Sequence, residues 1–384
     1  VKPLAPKDII LFLSLILLFN PNADFSSMRH LLLFIILLLL IAPVAQAQVR
    51  APKYANEFLS IGIGARALGM ANTQVALTND VTAAYWNPAG LLLSPHKYEV
   101  SLMHNEMFAG GAQYDYAGFS TPIDSISHLA FSVVRFGTDN IANTLNLFDA
   151  NGAIDYTRIS FFSVADYAFL ASYARKVSWL PGLRLGGNVK VIHRNAGGFA
   201  SGWGFGLDLG AQLERGPWKF GLAARDVTGT FTVFSINTEQ LYQVYQQTGN
   251  TLVQNSTEVA LPRLIAGTAR RFTWGSNRAF GALAALDFDI TFDGKRNVPI
   301  RTSLVSIDPH VGLELDYRQL VFVRAGAGSI QQLKNFDQST YTTFQPNFGL
   351  GFRISKFSVD YALTNIGNQA EALYSNIFSV KLGF

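Results

Sequence analysis

Along Trp203-Gly-Phe-Gly-Leu-Asp-Leu-Gly-Ala-Gln-Leu213 every odd position is apolar and every even position is Gly, Asp or Gln. A two-residue period of this kind predicts a β-strand with one apolar and one polar face. The pattern returns at Val311, Leu313, Leu315 and Tyr317 against Gly312, Glu314, Asp316 and Arg318, and at Phe348, Leu350, Phe352 and Ile354 against Asn347, Gly349, Gly351 and Arg353. The polar face mixes glycine with single charges instead of the Lys, Thr and Ser of a water-covered sheet, while the apolar face is rich in aromatics. That combination predicts a barrel with lipid outside and a polar lumen.

Amphipathic runs read forward from Tyr98 predict strands near 98–108, 113–121, 127–136, 166–176, 183–194, 203–213, 217–226, 260–270, 279–292, 310–317, 320–328, 345–354, 357–364 and 377–384. The count is about 14, an even number as bacterial outer-membrane barrels require. Tight turns at Glu214-Arg-Gly216, Arg318-Gln319 and Ser355-Lys356 alternate with long connections at 227–259, 293–309, 329–344 and 365–376, which places both termini on the periplasmic side. In the first long loop, Asn237 to Gly249 reads as a short capped helix with an apolar stripe, Leu241, Tyr242, Val244 and Tyr245. The stripe either packs down on the barrel mouth or meets a hydrophobic ligand or a partner. The last strand puts Phe378, Val380, Leu382 and Phe384 on one face.

Ahead of the strands, Met28-Arg-His precedes a Leu/Ile run and then Ala45-Gln-Ala47, so 28–47 reads as a signal peptide and 1–27 as an over-extended gene start. The alternative for the first apolar run, Ile9 to Phe19, is half of a transmembrane hairpin. Beyond Ala47 no apolar run approaches the ~20 residues of a spanning helix, so a membrane-spanning chain must cross as strands. Charged residues make up only 15% of the chain, too few for a fully water-covered surface. The net charge of +4 comes from basic residues scattered singly through the strands, which excludes a nucleic-acid footprint. The absence of cysteine fits a periplasm-transiting chain without disulfides.

Residues 48–97 follow different rules, being small, polar and Gly-rich, and are expected to fold into the lumen as a plug, with 98–384 as the barrel. The glycines of Gly62 to Gly69 lack the spacing of a phosphate loop. Pro88 fixes its own φ and pushes Asn87 out of the helical region, so Asn87-Pro-Ala-Gly90, with Ala89 at its centre, is expected to make a tight turn in which the Asn amide bonds nearby backbone. Gly90 is expected to let the chain leave in a conformation closed to other residues. Arg66, the single cation between Gly62 and Gly69, should seek a carboxylate on a strand's inner face.

Glu57-Phe-Leu-Ser-Ile-Gly-Ile-Gly-Ala-Arg-Ala-Leu-Gly-Met70 followed by Thr82-Ala-Ala-Tyr-Trp-Asn-Pro-Ala-Gly90 resembles the N-terminal signature of the PorV/PorQ family of Bacteroidetes-type outer-membrane proteins. The wider relation is to FadL-like barrels, with which the resemblance shares an Asn-Pro-Ala hatch motif and a 14-stranded architecture. It implies an outer-membrane component or accessory of type IX protein secretion and surface attachment, with secretion components or secreted cargo as partners. The alternative is a FadL-like channel for uptake of hydrophobic small molecules. The aromatic Phe384 resembles the mark read by the barrel-assembly machinery.

No catalytic constellation emerges. His96, His104, His128, His193 and His310 lie in no pattern resembling a barrel hydrolase. Asp287, Asp289 and Asp293 share one face of a predicted strand and are expected to be solvated or paired with lumen arginines rather than to hold a metal. No cofactor is expected.

Overall fold

The computed structural model describes residues 55–149, 151–239, 242, 255–335, 337–364 and 375–384. The predicted signal peptide and gene start lie outside them, as do Leu241, Val244 and Tyr245 of the predicted loop helix. Among the described residues seventeen antiparallel strands follow the N-terminal segment: β1 (Glu99–Met107), β2 (Ala112–Pro122), β3 (Ser127–Asn143), β4 (Ser160–Lys176), β5 (Leu183–Ala196), β6 (Ala200–Arg215), β7 (Trp218–Arg225), β8 (Thr230–Ile236) and β9 (Asn255–Ala260) in the first part. The rest are β10 (Arg263–Trp274), β11 (Phe280–Thr291), β12 (Ile300–Arg301), β13 (Ser306–Tyr317), β14 (Val321–Lys334), β15 (Thr340–Ile354), β16 (Phe357–Thr364) and β17 (Ser375–Gly383).

Fourteen of these close a ring: β7 pairs with β10, β11 with β13, and β17 returns to β1 with Glu99 opposite Gly383. The three remaining strands extend it. β8 continues along the edge of β6 beyond the end of β7, β9 pairs with β8, and the two-residue β12 pairs with β13. The fourteen predicted strands are the fourteen of the ring. The predicted loop 227–259 is corrected, because Asp226–Gly229 and Leu261-Pro262 only interrupt strands that resume as β8 and β9. A left-handed Asp226 and a proline without an N–H break the ladder there without ending it. The predicted loop 329–344 shrinks likewise to the stretch between Lys334 and Thr340.

The two-residue period sorts inside from outside as expected. Leu209, Leu313 and Leu350 face outward with 55%, 42% and 48% of their surface exposed, while Asp208, Glu314 and Arg324 point inward and are buried. The Tyr317–Leu320 turn closes with both Arg318 and Gln319 at positive φ, 51° and 54°, the backbone twist that a two-residue hairpin requires. No described helix is long and apolar enough to cross a membrane; the strands cross it, and the chain is an outer-membrane β-barrel.

The expectation of a uniformly polar lumen is corrected. Inward positions of β1 to β5 carry Met103, Met107, Tyr114, Val134, Leu170 and Ile192, which pack against Phe58, Leu59, Ile63 and Trp86 of the N-terminal segment. An inner face that meets a packed apolar segment instead of water has no need of polar side chains.

Candidate functional site

The N-terminal segment, residues 55–97, lies against inward-facing residues of the ring and is fixed there by side chains and by shape. Its secondary structure is brief: a turn of 3-10 helix at Glu57–Ser60, single helical turns at Ala65–Leu68 and Ala83–Trp86, and a 3-10 stretch at Pro88–Leu93. Such short pieces do not stand alone, so their stability comes from packing against the wall.

Shape is set by wall glycines. A Cβ on Gly186 of β5 would lie 2.6 Å from the backbone of Pro88 and Ala89, and one on Gly210 of β6 would strike Asn87 and Pro88. One on Gly221 of β7 would enter the backbone of Val75 and Ala76, one on Gly312 of β13 would meet Met70 and Thr73, and one on Gly326 of β14 would strike the peptide joining Met70 to Ala71. Gly349 of β15 meets Gly69 itself. These residues are neighbours across the ring: Gly186 faces Gly210, Gly221 faces Gly267 and Gly312 faces Gly326. They form a glycine belt on which residues 69–89 rest backbone to backbone.

Charge fixes the segment at two points. Arg66 donates to both carboxylate oxygens of Glu314, at 2.9 and 3.0 Å, and to Asn79 at 3.3 Å. Glu314 in turn accepts from Arg324 Nε at 2.7 Å, and Arg324 reaches Asp360 at 2.7 Å. Lower in the barrel Lys381 of β17 binds Asp80, while Glu99 accepts from Val81 N at 3.1 Å and Ser94 Oγ at 2.9 Å. Burial alone would raise the Asp80 carboxyl, but Lys381 and Thr82 hold it well below the usual carboxylate range.

Asn87 adopts an extended φ of −161° and its Oδ1 accepts from Ala89 N at 3.3 Å. Its Nδ2 reaches further than the sequence suggested, to Val75 O at 2.8 Å within the segment and to Ala211 O at 3.0 Å on the wall. The tight turn expected at Asn87–Gly90 is present, closed by Gly90 N donating to Asn87 O at 2.9 Å, and it opens a 3-10 stretch with Pro88 in its first turn. Gly90 does not take a left-handed conformation; a Cβ there would collide with the carbonyl of Thr78, so close approach accounts for the glycine. Tyr85 and Trp86 pack edge to face at 4.9 Å, bond Leu59 O and Ile63 O, and carry the guanidinium of Arg225 over their rings.

Other predicted residues fall elsewhere. Asp287 and Asp289 lie on β11, but Asp293 lies past its end and is held by Arg296 at 2.6 Å. Tyr242 is exposed. The Phe384 side chain is exposed and its backbone pairs with Tyr98 and Lys97 beside β1. The belt, the Asp80–Lys381 pair and the apolar inner lining had not been foreseen; glycines recurring at inward positions were the available signal.

No protein-family model matches the chain, and no curated protein does. Among solved structures it is similar to the CymD monoaromatic hydrocarbon channel, with a TM-score of 0.51 and 13% identity over 84% of this chain and 98% of that one. The two share a fold. The toluene transporter TbuX of Ralstonia pickettii gives 0.49 with 14% identity over 84% and 98%, and the toluene transporter TodX of Pseudomonas putida 0.49 with 12% over 83% and 96%. The expected PorV/PorQ membership and type IX secretion role are therefore corrected: the likeness runs to hydrocarbon channels. The physical reason is that the residues carrying the resemblance, the glycines of 62–69 and Asn87-Pro-Ala-Gly90, meet packing demands inside a barrel and carry no mark of secretion. The Bacteroidetes-like source likewise finds no support, the organisms named being Ralstonia and Pseudomonas.

Proposed function

We propose that the chain is an outer-membrane channel for hydrophobic small molecules, with the N-terminal segment as its plug. The observation that carries this reading is the apolar inner lining of β1 to β5. In a lumen that served hydrophilic solutes, Met103, Met107, Val134, Leu170 and Ile192 would face water; here they and the Phe58, Leu59, Ile63 and Trp86 side chains make a continuous apolar contact that a hydrophobic solute can enter by displacing like for like. The fold shared with CymD supports the same reading, as does a cavity of about 180 Å³ between β3, β4, β5 and β8, where Phe136, Val164 and Phe234 line it beside Asp166 and Arg194. Arg66 and Asn87 to Gly90 hold the plug in this scheme, and Phe384 serves as the mark for barrel assembly. Uptake of labelled toluene and octane into vesicles with and without the protein tests the proposal. Entry faster than into protein-free vesicles is expected, and Leu170→Asp should remove it; equal rates with and without protein refute it.

A further inference from the structure

The lumen has a second side. Between the segment and strands β7, β10, β11 and β13 lies a chamber of about 200 Å³, on the outward side of the belt. Its walls hold an unusual pairing: Asp289 on β11 stands directly opposite Asp308 on β13, and the next inward residue, Asp287, is opposite His310. Like charges facing each other across a ladder repel unless something lies between them. Asp287 is 2% exposed; its Oδ2 accepts from Val75 N at 3.0 Å, and its Oδ1 has no hydrogen-bond partner. Asp308 Oδ1 and Asn72 Oδ1, on the same walls, also lack partners, whereas Arg263 Nε and the Thr291 hydroxyl are donors left free. Buried polar atoms left open in one chamber call for a polar occupant, whether water or a ligand.

The balance of charge and hydrogen-bonding capacity selects its class. Asp308 has His310 Nε2 at 3.5 Å, and Arg263 directs its terminal nitrogens to Ser60 Oγ at 3.1 Å and Leu59 O at 3.3 Å. Arg296 is engaged with Asp293, and Arg225 with Tyr85 O at 3.0 Å. Tyr85 O is uncharged, so Arg225 keeps its charge; even with His310 protonated, the cations Arg225, Arg263, Arg296 and His310 face five carboxylates, Glu57, Asp287, Asp289, Asp293 and Asp308, and the open atoms are mostly acceptors. Among the described residues no group of three or more His, Asp or Glu is placed to hold a bare metal ion. We propose that this chamber binds a small cation that donates hydrogen bonds, an ammonium group seated between Asp289 and Asp308 with Asp287 beneath it. The ammonium belongs either to a small free amine or to the head of an amphiphile, and the inference does not depend on the hydrophobic-solute reading.

Calorimetry on the purified full chain in detergent, with methylammonium, octylammonium and octanol as probes, tests it. Methylammonium is expected to bind, and Asp289→Asn and Asp308→Asn should each weaken it by about tenfold, as loss of a charged hydrogen-bond partner implies. Octylammonium binding tighter than methylammonium would point to an amphiphile; equal affinity would point to a free amine. Heat-modifiable migration confirms that each variant is a closed barrel. The inference is overturned if the wild type binds neither ammonium probe more tightly than octanol, or if both Asn variants, closed as barrels, bind methylammonium as the wild type does.

Discussion

The glycine belt makes the seating of the N-terminal segment, the proposed plug, sensitive to a single methyl group. In Gly326→Ala the new Cβ strikes the peptide between Met70 and Ala71, and in Gly221→Ala it strikes Val75 and lies 2.6 Å from Ala76 N. Both collisions are with backbone, so no side chain can swing away, and the wall is held on both sides by its ladders. Overpacking of this kind costs roughly 1–3 kcal/mol per site. The two residues sit on different strands and touch different stretches of the segment, so the double variant loses roughly 2–6 kcal/mol of seating energy. At 1.4 kcal/mol per factor of ten, the displaced population rises by between about thirty-fold and about 10⁴-fold. Single-channel recording in planar bilayers should show open events becoming frequent in the double variant. Gly187→Ala is the control: it faces outward on β5, with its nearest contacts at 3.3 and 3.4 Å, and should leave conductance as in the wild type. A double variant that migrates as a closed barrel yet conducts like the wild type would refute the reasoning.

Other perturbations separate the wall from the plug. Leu209→Arg puts a charge on the outward face of β6 and should cost about 2–4 kcal/mol of stability if it lies near the bilayer midplane, read from denaturant titrations of refolding into vesicles; unchanged refolding would mean that the faces are misassigned. Glu314→Gln strips Arg66 of its carboxylate and should loosen the segment by about 3–5 kcal/mol, whereas Arg66→Gln leaves Glu314 paired with Arg324 and should do less; protease sensitivity of 55–97 in the two variants checks the order. The depressed Asp80 pKa means that its pairing with Lys381 is fully present above the ordinary carboxylate pKa and is lost only as pH falls through the lower folded value. The plug should thus stay seated through mildly acidic pH and release in stronger acid, and Lys381→Met, which leaves burial to push Asp80 up, should move release to higher pH; conductance recorded against pH with no shift in that variant would count against the pair.

The ring of fourteen strands was legible because lipid on one side and a filled lumen on the other impose a strict two-residue period, as along Trp203 to Leu213. Where one face is less uniform the sequence says less. In β1 the inward set Glu99, Ser101, Met103, Asn105 and Met107 is as mixed as the outward set Val100, Leu102, His104 and Glu106, so its apolar lining could not be assigned to a side. The belt glycines were visible as inward positions, but the reason for each lies in residues 69–89, more than 90 positions away in the chain. Gly90 shows the same limit: its composition suggested a backbone conformation, and its cause is the Thr78 carbonyl. Arg66 and Glu314 were readable as charges needing partners, but a separation of 248 positions hides the pairing.

The two sides of the lumen hold the N-terminal segment by different physics, and on the proposed reading this decides how it would move. On β5 to β7 and β13 to β15 the contact is backbone on glycine and the ion pair of Arg66 with Glu314, arrangements with one register and steep losses on displacement. On β1 to β4 it is apolar contact of Phe58, Leu59 and Ile63 with Met103, Met107 and Leu170, which dispersion and burial tolerate in many positions. A hydrophobic solute that wedges between segment and wall therefore replaces the second kind of contact at little net cost and leaves the first in place, so the segment should swing about its belt side. Hydrogen exchange read by mass spectrometry during exposure to toluene should rise in peptides covering Glu57–Gly64 and stay low across Gly69–Ala76. A uniform rise across both stretches would mean that the plug leaves as a unit, and no rise at all would mean that solute does not enter beside it.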